Sequence, residues 1–429
     1  MGVPLSLPEM PVYIQQLAGI LPLTALVEFI DLPTKLHGFH LTGRVQLWNW
    51  AITPAGARLL LQTRDNENAC CLDSFDRSAT LHCIDGRFGD LYPSSTPTTT
   101  RLWLGSLSSA VDIPNPNPRM RQDNIRKQKL EVIVVLKDES HVALQQAFEE
   151  SRLPFWRALF KTDRAWWSPL RFRLLSLLGW LLWCLAVATS LASGLYIAAA
   201  YLLLLPLTGL AVKYSHGGPP RKLLDGRMTE YKRVVVATNS LNGSDWWLFY
   251  GGSTIVNSLL NKPLNRAAAG HGGNTNGNHT PRSQLVMGLL QLCIVSQWGL
   301  AVASCAFQDW NAIIVSAWLA FCACSSAYLY PARDCVRDWL ELDCKIRAVK
   351  IRAEFSSRRS LLGAMVLLNP DTKTSLSSTT NWMNPILSPC DERTQWETAL
   401  LKYIDQGCMF FSSAPLMVVS SANRWLAHI

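Results

Sequence analysis

The sequence predicts a membrane protein with four transmembrane α-helices in two hairpins, joined to a composite α+β cytosolic part. Three observations carry this. Two long, almost purely apolar blocks, residues 172–212 and 284–330, stand in a chain of 429 residues whose remainder reads like soluble protein. Lys and Arg crowd the outer ends of both blocks. Short runs rich in β-branched residues lie outside them.

One bilayer crossing needs about 20 apolar residues. Each block is roughly twice that length, so each predicts two helices and a turn. In the first block, small and helix-weak residues gather at 190–194 (SLASG), which sets helices at about 172–190 and 194–212. Pro206 falls inside the second of these, where a neighbour must satisfy the freed carbonyl. In the second block the run FQDWN at 307–311 sets helices at about 284–306 and 312–330. Past Arg173 the spans hold no Asp, Glu, Lys, Arg or His. Ion- or proton-coupled carriers use such groups within the bilayer. Gln291, Ser296 and Gln297 in the third helix, and Ser316, Ser325 and Ser326 in the fourth, suit hydrogen bonds between helices.

Basic residues set the orientation. Arg164, Arg171 and Arg173 come before the first helix, Lys213, Arg221 and Lys222 after the second, and Arg333 and Arg337 after the fourth. The two hairpin turns have none. The expectation is a multi-pass protein with both termini and the central loop cytosolic. The sequons at Asn242 and Asn278 both lie in that loop, and glycan on either would require it to be lumenal.

The expected domains follow. Residues 1–150 form an N-terminal cytosolic α+β region, opened by an amphipathic helix over the apolar stretch 14–30. Its clearest strand is LEVIVVL at 130–136, with 41–52 and 57–62 as weaker strands. Residues 151–171 form an interfacial helix, because Trp156, Phe160, Trp166 and Trp167 alternate with Arg157, Lys161 and Arg164 beside the first span. Hairpins at 172–212 and 284–330 flank a central loop, 213–283, with a strand at KRVVVAT (232–238) and a tether from 266 onward. Residues 331–429 form a C-terminal helical region, with a charged helix over 334–355, an apolar core run at 361–368 and a further helix at 393–411.

Several chemistries are excluded. The net charge of +9 is explained by the basic residues that flank the spans, and no nucleic-acid reading motif accompanies it. Of twelve cysteines, Cys70, Cys71 and Cys83, beside His82, make the only soluble cluster. No second ligand pair completes a zinc site, so no metal and no cofactor is expected. The run Gly251-Gly252-Ser253 before a helical stretch would offer backbone amides to a phosphate. It lacks the Lys of a Walker loop, and a plain helix start explains it. Asp245 and Ser253 are the candidate catalytic residues if the chain is an enzyme.

The runs DWWLFYGGSTIVNSLLNKPL (245–264), RRSLLGAMVLLN (358–369) and NWMNPIL (381–387) carry a resemblance. Over about residues 165–400 the chain resembles uncharacterised multi-pass membrane proteins of filamentous fungi. Some proteins of that kind sit in gene clusters for secondary metabolites, which implies an accessory role and no transferable activity. The functional expectation is a membrane-anchored cytosolic module that binds or organises a protein partner, with the lipid bilayer as its other partner. A membrane-bound enzyme acting on a lipophilic substrate and an oligomeric channel are the alternatives.

Overall fold

The computed structural model describes residues 8–26, 31–44, 46–61, 72–73, 80–107, 109–113, 127–137, 164–216, 220–221, 223, 231–261, 281–329, 331–369 and 380–407. In chain order the elements begin with α1 (Val12–Ala18), α2 (Leu32–Thr42), α3 (Pro54–Leu61), β1 (His82–Asp85), β2 (Leu91–Pro93), α4 (Pro97–Ser106), β3 (Ser109–Ile113) and β4 (Gln128–Lys137). Then follow α5 (Arg164–Ala192), α6 (Tyr196–His216), β5 (Lys232–Thr238), β6 (Asp245–Gly252), α7 (Ser253–Leu260), α8 (Pro281–Phe307) and α9 (Trp310–Cys324). Last come α10 (Ala332–Asp338), β7 (Ile346–Phe355), α11 (Arg358–Leu368) and α12 (Asp391–Gly407). The chain divides into two units. One takes Met1–Phe75, Asp163–Lys222 and Asn265–Asp343, and the other takes Asp76–Thr162, Leu223–Leu264 and Cys344–Ile429.

In the first unit, four helices among the described residues are long and apolar enough to cross a membrane: Arg173–Ala192, Tyr196–His216, Leu285–Phe307 and Trp310–Tyr328. Leu174, Leu177, Leu181 and Leu185 leave α5 apolar on its exposed side, and α6 is the most enclosed of the four. Their short connections are tied together. Asp309 caps α9 and accepts from the backbone and side chain of Asn311, whose Oδ1 in turn accepts the Ala198 amide at 3.0 Å. That amide belongs to the first turn of α6, which has no partner inside its own helix.

Pro206 poses a similar problem. A proline inside a helix leaves the carbonyl four residues earlier without its donor. That carbonyl is Leu202, and it accepts the indole N–H of Trp183 from α5 at 2.9 Å.

A non-helical backbone segment, residues 46–53, also packs among these helices. Trp48 and Trp50 are fully buried. Two glycines make room for them. A Cβ at Gly179 of α5 would lie 2.1 Å from the Trp48 ring, and one at Gly209 of α6 would lie 2.6 Å from the Leu47 carbonyl and from the Trp50 ring. Four of the segment's backbone groups are met by side chains. Gln297 of α8 donates to the Trp50 carbonyl at 3.0 Å and accepts from the Ile52 amide at 3.1 Å. The Ile52 carbonyl accepts Trp298 Nε1 at 2.9 Å, and the Asn49 carbonyl accepts the Lys35 ammonium. The Asn49 side chain donates to Ser325 Oγ at 2.6 Å.

In the second unit, seven strands among the described residues form one sheet in the order β2-β1-β5-β6-β4-β7-β3. β4 lies parallel to β6 and antiparallel to β7; β3 lies parallel to β7. One face carries Ile84, Leu130, Val132, Val236, Trp246, Leu248 and Ile351 and packs under α11, with Trp382, Met383 and Leu400 from the segments that follow. Each such large side chain contributes about 1.5–3 kcal/mol when fully buried. The opposite face carries Ile133, Val135, Val235 and Phe249, all buried, with α7 and α4 against it. Trp103 of α4 meets Phe249 at 5.7 Å between ring centres.

Several expectations change. The first 75 residues cluster with the long helices, so the expected α+β region at 1–150 divides between the units. Of the stretches 41–52 and 57–62, expected as strands, the described residues 41–44, 46–52 and 57–61 fall in the end of α2, the buried segment and α3. The apolar stretch 14–30 gives α1 and a 3-10 turn, Leu21–Leu26. The charged helix expected at 334–355 stops early; α10 and a π-helical turn end at Asp343, and β7 follows. Its sequence, IRAVKIRAEF, alternates with period two, so Ile351, Ala353 and Phe355 face one core while Lys350 and Arg352 face the other side. Of the expected interfacial helix 151–171, residues 151–163 lie outside the described ones, and the remainder continues directly into α5. The polar span residues mostly bind elsewhere than expected: Gln297 does reach Thr208 of α6 at 2.6 Å, but Ser316 turns back to its own helix.

Replacing Trp183 with Phe strands the Leu202 carbonyl, and such bonds within a membrane are worth about 0.6–2 kcal/mol. In a double-mutant cycle, Trp183→Phe should lose most of its effect when Pro206 is also changed to Ala, because the helix then supplies its own donor. Thermal unfolding in detergent reads this, and equal losses in both backgrounds would refute it.

Candidate functional site

The sheet places Ser253 in a polar cluster and leaves Asp245 out of it. β6 runs from Asp245 to Gly252, and a strand rises about 3.3 Å per residue. The two candidate catalytic residues therefore stand about 25 Å apart, at opposite ends of one strand. Asp245 is exposed, and its carbonyl accepts the Thr238 hydroxyl at 3.1 Å.

Ser253 begins α7, with Gly252 as the capping residue. Its amide is donated to the Tyr231 carbonyl at 2.9 Å, and Gly251 pairs with Arg233 across the β5–β6 ladder. The Ser253 amide, one of the groups a phosphate would need, is thus committed within the fold. The Ser253 hydroxyl accepts from Asn257 at 3.3 Å one helical turn on. Asn257 accepts from Asn261 at 2.9 Å and from the Arg233 guanidinium. Arg233 closes the cluster on Asp85, with contacts at 2.6 and 3.3 Å. Asp85 is only 3% exposed.

Chemically this arrangement is a clamp. A nucleophilic serine needs a base within hydrogen-bond reach, and the hydroxyl of Ser253 is partnered here by the amide side chain of Asn257. The carboxylate of Asp85 is turned to Arg233 and to the Arg87 amide. The cluster binds the end of β1 to β5 and to the first turn of α7, so its polar groups anchor the helix on the sheet.

A second cluster lies further along the same face. Glu131 of β4 accepts from Arg352 at 2.8 Å and from Trp247 Nε1 at 3.0 Å. Lys350 stands 3.8 Å from that carboxylate and donates to the Leu104 carbonyl at 3.3 Å. The cluster ties α4 to β4, β6 and β7, and the sequence reading does not single it out. Glu131 interrupts an otherwise apolar strand, which is the one signal it leaves.

The remaining candidates are dispersed. Asn242 is exposed in the β5–β6 turn; Asn278, Trp156 and Phe160 lie outside the described residues. Trp166 and Trp167 fall in the opening turns of α5, but their side chains are not among those described. Cys83 is buried in β1, while Cys70 and Cys71 lie outside the described residues. Among the described residues no group of three or more His, Cys, Asp or Glu could hold a metal ion.

Comparison with known proteins found no matching family model, no matching curated protein and no matching solved structure.

Two outcomes follow from the clamp. Asp85→Ala leaves the partly buried Arg233 guanidinium without its carboxylate and should destabilise the sheet unit by about 1.5–3 kcal/mol. Ser253→Ala should stay within about 1 kcal/mol. Equal effects in denaturant titrations would show that the hydroxyl matters as much as the ion pair and would refute this ranking. Burial pushes the Cys83 thiol up to about 12, so the folded chain keeps it protonated where the unfolded chain ionises it near 9. Its contribution to stability therefore falls as pH rises through that interval. At pH 8 a maleimide should label the exposed Cys390 and leave Cys83 untouched until the protein is unfolded; rapid labelling of both in the native protein would contradict this.

Proposed function

We propose that this chain is a multi-pass membrane protein, its four long helices crossing as two hairpins, that holds its sheet unit at the cytosolic surface as a platform for a protein partner. One observation carries the proposal. Strands β1–β4 precede α5, β5 and β6 lie between α6 and α8, and β7 follows α9, yet all seven belong to one sheet. Three segments separated by apolar helices can share a sheet only if an even number of crossings lies between them. Two hairpins meet that condition.

Orientation rests on charge. Lys213 and Arg221 follow α6, Arg333 and Arg337 follow α9, and the connections at 193–195 and 308–309 carry no Lys or Arg. Basic residues gather on the cytosolic side. The sheet unit and the C-terminal segment then face the cytosol.

The two polar clusters favour a binding role over an enzymatic one, because their charged groups are spent on each other and on neighbouring backbone. The β1–β2 hairpin presents the kind of surface a protein partner uses. Phe88 is 68% exposed and Leu91 45% exposed, beside an edge strand that ends in proline. Aromatic and aliphatic groups of this sort anchor interfaces.

Cross-linking in native membranes should join the β1–β2 hairpin to a cytosolic protein. Phe88→Asp combined with Leu91→Asp should weaken that link about tenfold or more without changing membrane insertion. Unchanged cross-links would show that the hairpin is not the docking surface. Glycan on Asn242 in the native host would put the whole sheet unit on the lumenal side, because Asn242 sits in the β5–β6 turn.

A further inference from the structure

We infer that between Pro8 and Arg44 the chain crosses the membrane once more, so that Pro8 lies at the face of the α8–α9 turn and the apolar residues of α1 meet lipid there. The inference rests on the hairpin reading above and changes one of its expectations, that both termini share a side.

The two ends of this segment are held by different partners. At its beginning, the Pro8 carbonyl accepts Trp310 Nε1 at 3.1 Å. A Cβ placed on Gly19 would lie 3.0 Å from the Gln308 side chain. The Cys305 thiol meets the backbone of Leu23. Residue 305 is in the last turn of α8, 308 in the connection and 310 at the start of α9, so all three lie at the α8–α9 turn. At the end of the segment the partners change. The Leu41 carbonyl accepts the Arg221 amide at 2.9 Å, and the His40 and His216 rings lie 6.1 Å apart. Arg44 stands 3.9 Å from Asp343. His216 closes α6, Arg221 follows it, and Asp343 ends the turn after α10.

Those two sets of partners lie at opposite ends of the helices. From Trp310 to Leu329 the chain is helical, and at 1.5 Å per residue that is about 28 Å, close to the roughly 30 Å of a bilayer's hydrocarbon core. Between Pro8 and Leu41 the chain therefore travels one membrane thickness. The stretch 46–61 adds no further crossing, because it enters the helices at Gln297 and returns to His216 through the Leu60 carbonyl at 3.0 Å.

Two independent features agree. No Lys, Arg or His occurs in the first 31 residues, and residues 10–27 carry no charge of either sign. The N-terminal stretch thus matches the two basic-free turns under the same charge rule that orients the hairpins. Much of its exposed surface is apolar: Val12 is 70% exposed, Ile20 66%, and Tyr13 and Leu17 are also exposed, with Gln15 and Gln16 as the polar residues of α1 among them. That surface is continuous in character with the bare leucines of α5, and lipid is the partner that covers both. Lys35, the one Lys or Arg between residues 8 and 43, turns inward; its ammonium bonds the Asn49 carbonyl and lies 4.4 Å from the centre of the Trp50 ring. An intramembrane cation is expected to face protein in this way.

Short epitopes placed one at a time at the N-terminus, beside Gly194, beside Asn242 and at the C-terminus of the full chain would be read in sealed membrane vesicles with an impermeant protease. The expected pattern is that the N-terminal and Gly194 epitopes share one side while the Asn242 and C-terminal epitopes share the other. An N-terminal epitope cut together with the Asn242 epitope, with Gly194 protected, overturns the inference alone. A Gly194 epitope on the Asn242 side overturns the hairpin reading and this inference with it. As a second measurement, Gly19→Cys with Gln308→Cys should be joined by a short bismaleimide within the membrane, and absence of that product removes the contact on which the crossing depends.

Discussion

Gln297 holds two backbone groups that no water can reach. Its amide side chain answers the carbonyl of Trp50 and the N–H of Ile52, and it also touches Thr208. Backbone outside helices survives among apolar helices only where protein supplies every missing hydrogen bond. In the buried segment 46–53, Lys35, Trp298 and Gln297 supply four of these bonds. The small residues follow from it as well: Gly179 and Gly209 are where the tryptophans of the segment come closest to α5 and α6. Trp183 applies the same rule to the carbonyl that Pro206 leaves open.

The sheet unit is ordered by a different constraint, the closure of a core from distant pieces of chain. β4 sits between β6 and β7 and is apolar toward both faces, so it requires neighbours from the central and the C-terminal segments alike. Its two polar clusters then fix the helices of one face: Asp85 and Arg233 hold α7, while Glu131 and Lys350 hold α4.

The strongest features are legible in the sequence because a single physical cause governs each. Long uncharged blocks announce spans, and LEVIVVL and KRVVVAT announce strands buried on both faces. β7 reads as part of a helix because Ile346 and Val349 continue the helical spacing of Val336, Trp339 and Leu342, and tertiary pairing with β4 decides for a strand. The segment at 41–52 looks strand-like because Trp48, Trp50 and Ile52 alternate; its burial comes from the glycines of helices more than a hundred residues away, which no local pattern records. At the candidate site, Ser253 is visible from Gly-Gly-Ser before a helix. Asp85 and Arg233 are not, since their meeting depends on the register of β1 against β5.

The sheet's composition also sets an order on biosynthesis. β4 leaves the ribosome roughly two hundred residues before β7, and at about 5–20 residues per second it waits some tens of seconds for its antiparallel neighbour. During that interval an apolar strand stands with open edges, a state prone to wrong association. Completion of the sheet therefore waits on the synthesis of α8 and α9, because β7 follows both of them in the chain.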